Sequence, residues 1–286
     1  FFLLYIMLKE LKFERVIILS IFTPIFILYP VSEIEVLARK EIIIFSLLLT
    51  YFFVPRVSYI KLFSLIIFSS LSILIWEPII FFFPLILLLE IIEKDIKKID
   101  VKILKITLSF VPSLIIALII IFDPLSNEEH MLMASVLKNE FGQTCYMSCS
   151  LLNSKSTIIQ QFEGNYKSYS FEVFVRYSLI ISIGFFPLIV LLNNSYLKSK
   201  NLFLFKFFKK PITLFYISLS PIIFLFIMGY DWGRWVNISY VILALIYFRL
   251  LSKNYFILDF EKLKLSFFYK IKGRAFIIFF IIFCFG

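Results

Sequence analysis

Ten apolar runs, separated by short polar connections, organise this chain: residues 1–8, 16–30, 42–54, 62–76, 79–92, 106–122, 173–192, 211–229, 235–251 and 275–286. In lipid each backbone amide must be satisfied within its own segment, so the runs are expected as helices rather than strands. Several are shorter than the roughly 20 residues that span a bilayer. The runs 62–76 and 79–92 meet at Trp76, Glu77 and Pro78. Proline disrupts a helix interior and a mid-membrane Glu is costly, which favours two short segments over a re-entrant hairpin or one long broken helix. The expected fold is all-α: a polytopic transmembrane bundle of ten segments forming a single domain over 1–286, with one larger extracytoplasmic loop at 123–172.

Composition supports a membrane setting. The 286 residues are 61% hydrophobic and only 17% charged, with a mean hydropathy of +0.98, far from a water-soluble domain. Phe (38 copies) is abundant and Gly (7) scarce. That pattern fits the bias of an AT-rich genome, so aromatic abundance alone is no functional signal. The chain opens on Phe1 and ends at Gly286 inside an apolar run, and reads as a piece of a longer protein.

A net charge of +10 raises the question of nucleic acid, but the cations lie in short blocks between apolar runs rather than on one polar face, so no nucleic-acid partner is expected. Topology explains them better. The connections 9–15, 55–61, 93–105, 194–210 and 249–274 hold 22 of the 29 basic residues and are expected in the cytoplasm; the opposite connections hold 11 of the 19 acidic ones. The long connection 123–172 then falls outside. Ser126, followed by Glu128 and Glu129, is a helix-start pattern ahead of Met131–Phe141, whereas the stretch from Cys145 to Gly164 reads as an exposed loop. Cys145 and Cys149 in that loop are either a local disulfide or two free thiols.

Four polar groups are candidates for chemistry. In Gly229-Tyr230-Asp231-Trp232-Gly233-Arg234-Trp235, an acid and an arginine three apart sit among interfacial aromatics. Asp231 and Arg234 either close a tight turn as an ion pair, or Arg234 presents its donor fork to a phosphate or carboxylate with Asp231 as orienter or base. Arg39, Lys40 and Glu41 stand at the mouth of the 42–54 run, where two cations run against the charge bias of that face. They either snorkel to headgroups or join Arg234 in an anion site. Glu77, beside Pro78 at a helix break, is a candidate acid or base, or else a residue reaching interfacial water. His130, the one histidine, follows Glu128 and Glu129 and reads as part of a solvated helix start; no metal site and no cofactor are expected.

Many helices, one sizeable outer loop and scattered Arg, Asp and Glu on the outer face resemble bacterial O-antigen and exopolysaccharide polymerases and other polyprenol-dependent multi-pass glycosyltransferases. Arg39, Lys40, Glu41, Glu77 and the 231–235 stretch match that group in character. The resemblance implies a bacterial inner-membrane enzyme that takes a glycan from a polyprenyl diphosphate carrier in the lipid. Glu77 or Asp231 would serve as general base, and Arg234, Arg39, Lys40, Glu41, Trp232 and Trp235 would bind substrate. The alternatives are a transporter or flippase whose polar residues line a pathway, and a non-catalytic membrane subunit.

Overall fold

The computed structural model describes residues 2–9, 11, 14–26, 40–123, 125–145, 158–167, 169–199, 210–229 and 231–285. Each of the ten apolar runs contains helix: α1 (Phe2–Leu8), α2 (Arg15–Ile21), α3 (Glu41–Phe53), α4 (Ser58–Ile75), α5 (Phe83–Glu93), α6 (Val101–Leu108) with α7 (Val111–Phe122), α10 (Phe171–Asn193), α11 (Pro211–Leu219) with α12 (Ile223–Met228), α13 (Trp232–Ser252) and α16 (Gly273–Phe285). Between them lie α8 (Asn127–Phe141), α9 (Ile158–Tyr166), α14 (Phe260–Lys264), α15 (Phe267–Lys270) and two short strands, β1 (Ser195–Leu197) and β2 (Phe256–Leu258), paired antiparallel.

Among the described residues, four helical stretches are long and apolar enough to cross a membrane: Val101–Phe122, Phe171–Asn193, Pro211–Met228 and Trp232–Ser252. This marks the chain as a membrane-associated helical protein. The break at Trp76 falls where the sequence puts it. Trp76 is extended, and Glu77–Phe82 makes a 3-10 turn with Pro78 near its start, leading into α5.

One helix organises the rest. Of the four long stretches α13 is 94% buried, against 28–33% for the others, and it packs against α1, α3, α5 and α10. It is also the least apolar of the four. In lipid, polar side chains turn inward and find partners there, and three of those on α13 do so. Asn237 donates to the Ile25 carbonyl (2.8 Å), Tyr240 to the Ser20 carbonyl (2.7 Å), and Tyr247 shares a hydrogen bond with Ser195 (2.9 Å). Thus α13 is the axis to which α2 and β1 are tied.

The five connections expected on one side are joined by contacts at the Arg249 end of α13. Arg15 donates to the Ile271 carbonyl (2.7 Å), β1 pairs with β2, Arg56 lies over the Tyr255 ring, and Arg249 pairs with Glu93. At the other end Tyr169 donates to the Ile227 carbonyl (2.8 Å) and packs on Trp232.

Two expectations on the 123–172 segment resolve differently. Helix α8 starts with a full capping box between Ser126 and Glu129 and stops at Gly142 in the left-handed region (φ 63°), as its sequence suggests. The expected exposed loop from Cys145 to Gly164 is partly wrong, because Ile158–Tyr166 is helix α9. Its polar composition misleads. Asn165 donates to the Met228 carbonyl at the end of α12, so α9 satisfies a helix terminus rather than burying an apolar face.

Candidate functional site

Helix α13 begins one residue after Asp231, so Asp231 is its N-cap position and Arg234 lies in its first turn. A cation there opposes the helix dipole and requires acidic neighbours. It has them. Arg234 Nη2 donates to Glu41 Oε1 at the start of α3, and Arg234 Nη1 is 3.7 Å from Asp231 Oδ2. The guanidinium lies 5.7 Å from the Trp76 ring centre and 5.5 Å from that of Trp235, and the two indoles stack on each other at 5.6 Å.

Lys40 and Glu77 complete the group electrostatically. The Lys40 side chain reaches the surface, but crowding by protein lowers the pKa of its ammonium. Glu77 opposes that shift and Arg234 adds to it, so all three share one field. Glu41 Oε2 and the indole nitrogen of Trp235 are among the buried polar atoms that have no hydrogen-bond partner within the described residues. One is an acceptor and the other a donor, a combination suited to a hydroxyl group. Gly229 keeps the space beside that indole open, since a Cβ there would stand 3.4 Å from Trp235 Nε1.

The structure therefore brings together Lys40, Glu41, Glu77, Asp231, Arg234 and Trp235, from three segments far apart in the sequence, and adds Trp76 as their aromatic floor. Asp231 is half exposed, whereas Glu41 is nearly buried and takes the stronger bond to Arg234. The local Asp231–Arg234 turn closure is thus the weaker of the two pairings. Trp232 does not join the group. Its indole donates to the Phe226 carbonyl (2.9 Å), and its ring packs among Tyr169, Tyr177 and Phe226 on another side of α13. Arg39 lies outside the described residues. In the long segment, Cys145 is disulfide-bonded and its sulfur is 3.4 Å from His130 Nε2; Cys149 lies outside the described residues.

A second ionic group, which the apolar pattern does not single out, occupies the Arg249 end. Arg249 Nε donates to Glu93 Oε1 (2.8 Å), with Arg56 4.0 Å from the same carboxylate. Glu90, fully buried, accepts from the Tyr51 hydroxyl and is 3.0 Å from Lys94 and 3.9 Å from Lys61. Lys61 is itself buried, donates to the Tyr51 carbonyl (2.9 Å), and lies over the Tyr51 ring. The available signal was Glu90, an acid set within an otherwise apolar run.

Comparison with family models, with curated proteins and with solved structures finds no match. The reading of either group therefore rests on its geometry. Among the described residues no group of three His, Cys, Asp or Glu side chains is placed to hold a metal ion.

Proposed function

We propose that this chain is a bacterial inner-membrane enzyme of surface polysaccharide assembly, which transfers a polyprenyl diphosphate-linked glycan to an acceptor sugar at the extracytoplasmic face. The observation that carries this reading is the Arg234–Glu41 pair, set against Trp76 and Trp235 at the start of α13 with Lys40, Glu77 and Asp231 around it. A diphosphate can replace Glu41 on the guanidinium, because carboxylate and phosphate are both anionic oxygen acceptors for the planar donor fork of arginine. That exchange leaves Glu41 as a carboxylate beside the arriving acceptor hydroxyl. The acceptor oxygen attacks the anomeric carbon and its proton passes to a carboxylate, Glu41, Glu77 or Asp231. The bond from the anomeric carbon to the diphosphate oxygen breaks, and its electron pair leaves with the diphosphate, held by Arg234 and Lys40.

Binding of sugar hydroxyls by the carboxylates, and of diphosphate by the two cations, accounts for the mixed charge of the group. A flippase or transporter is less well supported, because α13 carries no charged residue from 235 to 248 and offers no continuous polar path between its ends.

The test is surface glycan chain length in cells, normalised to the amount of protein in the membrane, for Arg234→Lys, Arg234→Ala and the exchange of Asp231→Arg with Arg234→Asp. Loss of long chains in all three at normal protein levels supports a ligand role, since Lys keeps the charge but not the fork. Normal chains in the Lys variant or in the exchange would reduce Arg234 to a structural residue and favour a non-catalytic subunit.

A further inference from the structure

At the Arg249 end, α4, α5 and α6 enclose a cavity of about 450 Å³, within the size range of small-ligand sites. Five cations line it, Arg56, Lys61, Lys94, Lys102 and Lys105, against two carboxylates, Glu90 and Glu93. Both carboxylates are already engaged: Glu90 by Tyr51, Lys61 and Lys94, and Glu93 by Arg249 and Arg56. Of the nearby acids, Asp100 caps α6 by accepting from the Lys102 amide (2.9 Å), and Asp95 is 3.9 Å from Lys97. Among the described residues, Lys102 and Lys105 have no ion-pair partner. Both are exposed at the cavity wall, where an arriving anion can reach them.

The wall beside the cavity indicates the anion's chemistry. Lys102 and Lys105, three apart, share one face of α6, while Val101, Leu104 and Leu108 stay exposed beside them. A helix with cations on one side and bare aliphatic side chains on the other suits the boundary between headgroups and acyl chains.

We propose that this cavity binds the phosphate ester of an anionic membrane phospholipid, with the headgroup among Lys94, Lys102 and Lys105 and the acyl chains along α6 and α7. Cations spread along a loop by topology alone attract anionic lipid diffusely. This group differs because one cavity gathers them around a fully buried lysine, Lys61. The site is independent of the glycan reading and lies at the opposite end of α13.

The experiment is graded delipidation of the purified full-length protein followed by native mass spectrometry, with thermal unfolding in phosphatidylcholine nanodiscs with and without phosphatidylglycerol. Wild type should retain a phosphatidylglycerol that the Lys102→Gln, Lys105→Gln double variant binds at least about tenfold more weakly. The Lys102→Arg, Lys105→Arg variant should keep it. So should Lys262→Gln, Lys264→Gln, which removes two exposed cations on α14. Equal retention by wild type and the Gln double variant, or equal loss in the α14 control, overturns the site. In a separate arm, inorganic phosphate alone should not raise the unfolding midpoint. If it does, and the Gln variant abolishes that rise, the phosphate chemistry stands and the lipid is overturned as its source.

Discussion

The two ends of α13 make the same bond in opposite settings. Each presents an arginine to a glutamate of a neighbouring helix, Arg234 to Glu41 and Arg249 to Glu93, 15 residues apart, or roughly 22 Å along the axis. Arg249 lies in the last turn of α13, where the helix dipole favours a cation; Arg234 lies in the first turn, where it opposes one. Arg249 and Glu93 are each about 95% shielded, whereas Arg234 keeps 22% of its side chain exposed. One arginine is where helix physics would put it, and the other is held against the field by carboxylates from elsewhere in the chain. An arrangement that costs stability at an accessible point is the better candidate for function, and one that agrees with its surroundings the better candidate for structure.

The largest expected effect breaks the structural end. Glu93→Ala strands Arg249 in the interior and should cost about 3–5 kcal/mol, read as a lower unfolding midpoint and less protein in the membrane; Glu41→Ala should cost clearly less by the same measurement. Equal losses would erase the distinction between the ends. Next is the end proposed to be functional: Arg234→Lys should lower the proposed glycan transfer about a hundredfold while the unfolding midpoint stays near that of wild type. A smaller effect sharpens the role of Lys40. Its pKa lies below the ordinary lysine value, chiefly through burial, with Glu77 opposing and Arg234 adding. Any anion affinity that depends on its ammonium is therefore present at neutral pH and falls as pH rises through that lowered value, earlier than for an ordinary lysine. Lys40→Arg should move this alkaline limb upward, and an unchanged pH profile would remove Lys40 from the site. The smallest perturbation fixes orientation. A cysteine at exposed Ser135 should react with an impermeant thiol reagent in intact cells and one at Lys264 only after lysis, both in a background without native cysteines.

Much of this architecture can be read from the chain because lipid allows so few backbone solutions: every apolar run contains a helix, and the break at Trp76-Glu77-Pro78 lies at its expected place. Helix ends are less legible. The run 235–251 starts three residues after α13 does, because Trp232, Gly233 and Arg234 are helical through partners that hydropathy does not register. The same limit governs the site. Lys40, Glu41, Glu77, Asp231 and Arg234 stand out individually as charges beside apolar runs, but that Arg234 prefers Glu41, 193 positions away, to Asp231, three away, is a tertiary fact. Trp232 shows the converse error: adjacency in sequence suggested a shared site, and a 100° step per residue around the helix sends it elsewhere. Glu90 and Lys61 are not legible as a pair because each sits singly inside or beside an apolar stretch, and only folding brings them together.

The small ribbon of β1 and β2 has a mechanical consequence. It clips the chain just after α10 to the chain just after α13, and Tyr247 with Ser195 adds a rivet at the same point. Both helices run in the same direction from that fastened end to the pair of rings Tyr177 and Trp232. Two rods pinned together at one end can part only at the other. Over the 23 residues of α10, roughly 34 Å of helix, a tilt of a few degrees becomes a displacement of an ångström or more where Trp232 begins α13. Any breathing between these rods is delivered to the Arg234 end and withheld from the Arg249 end.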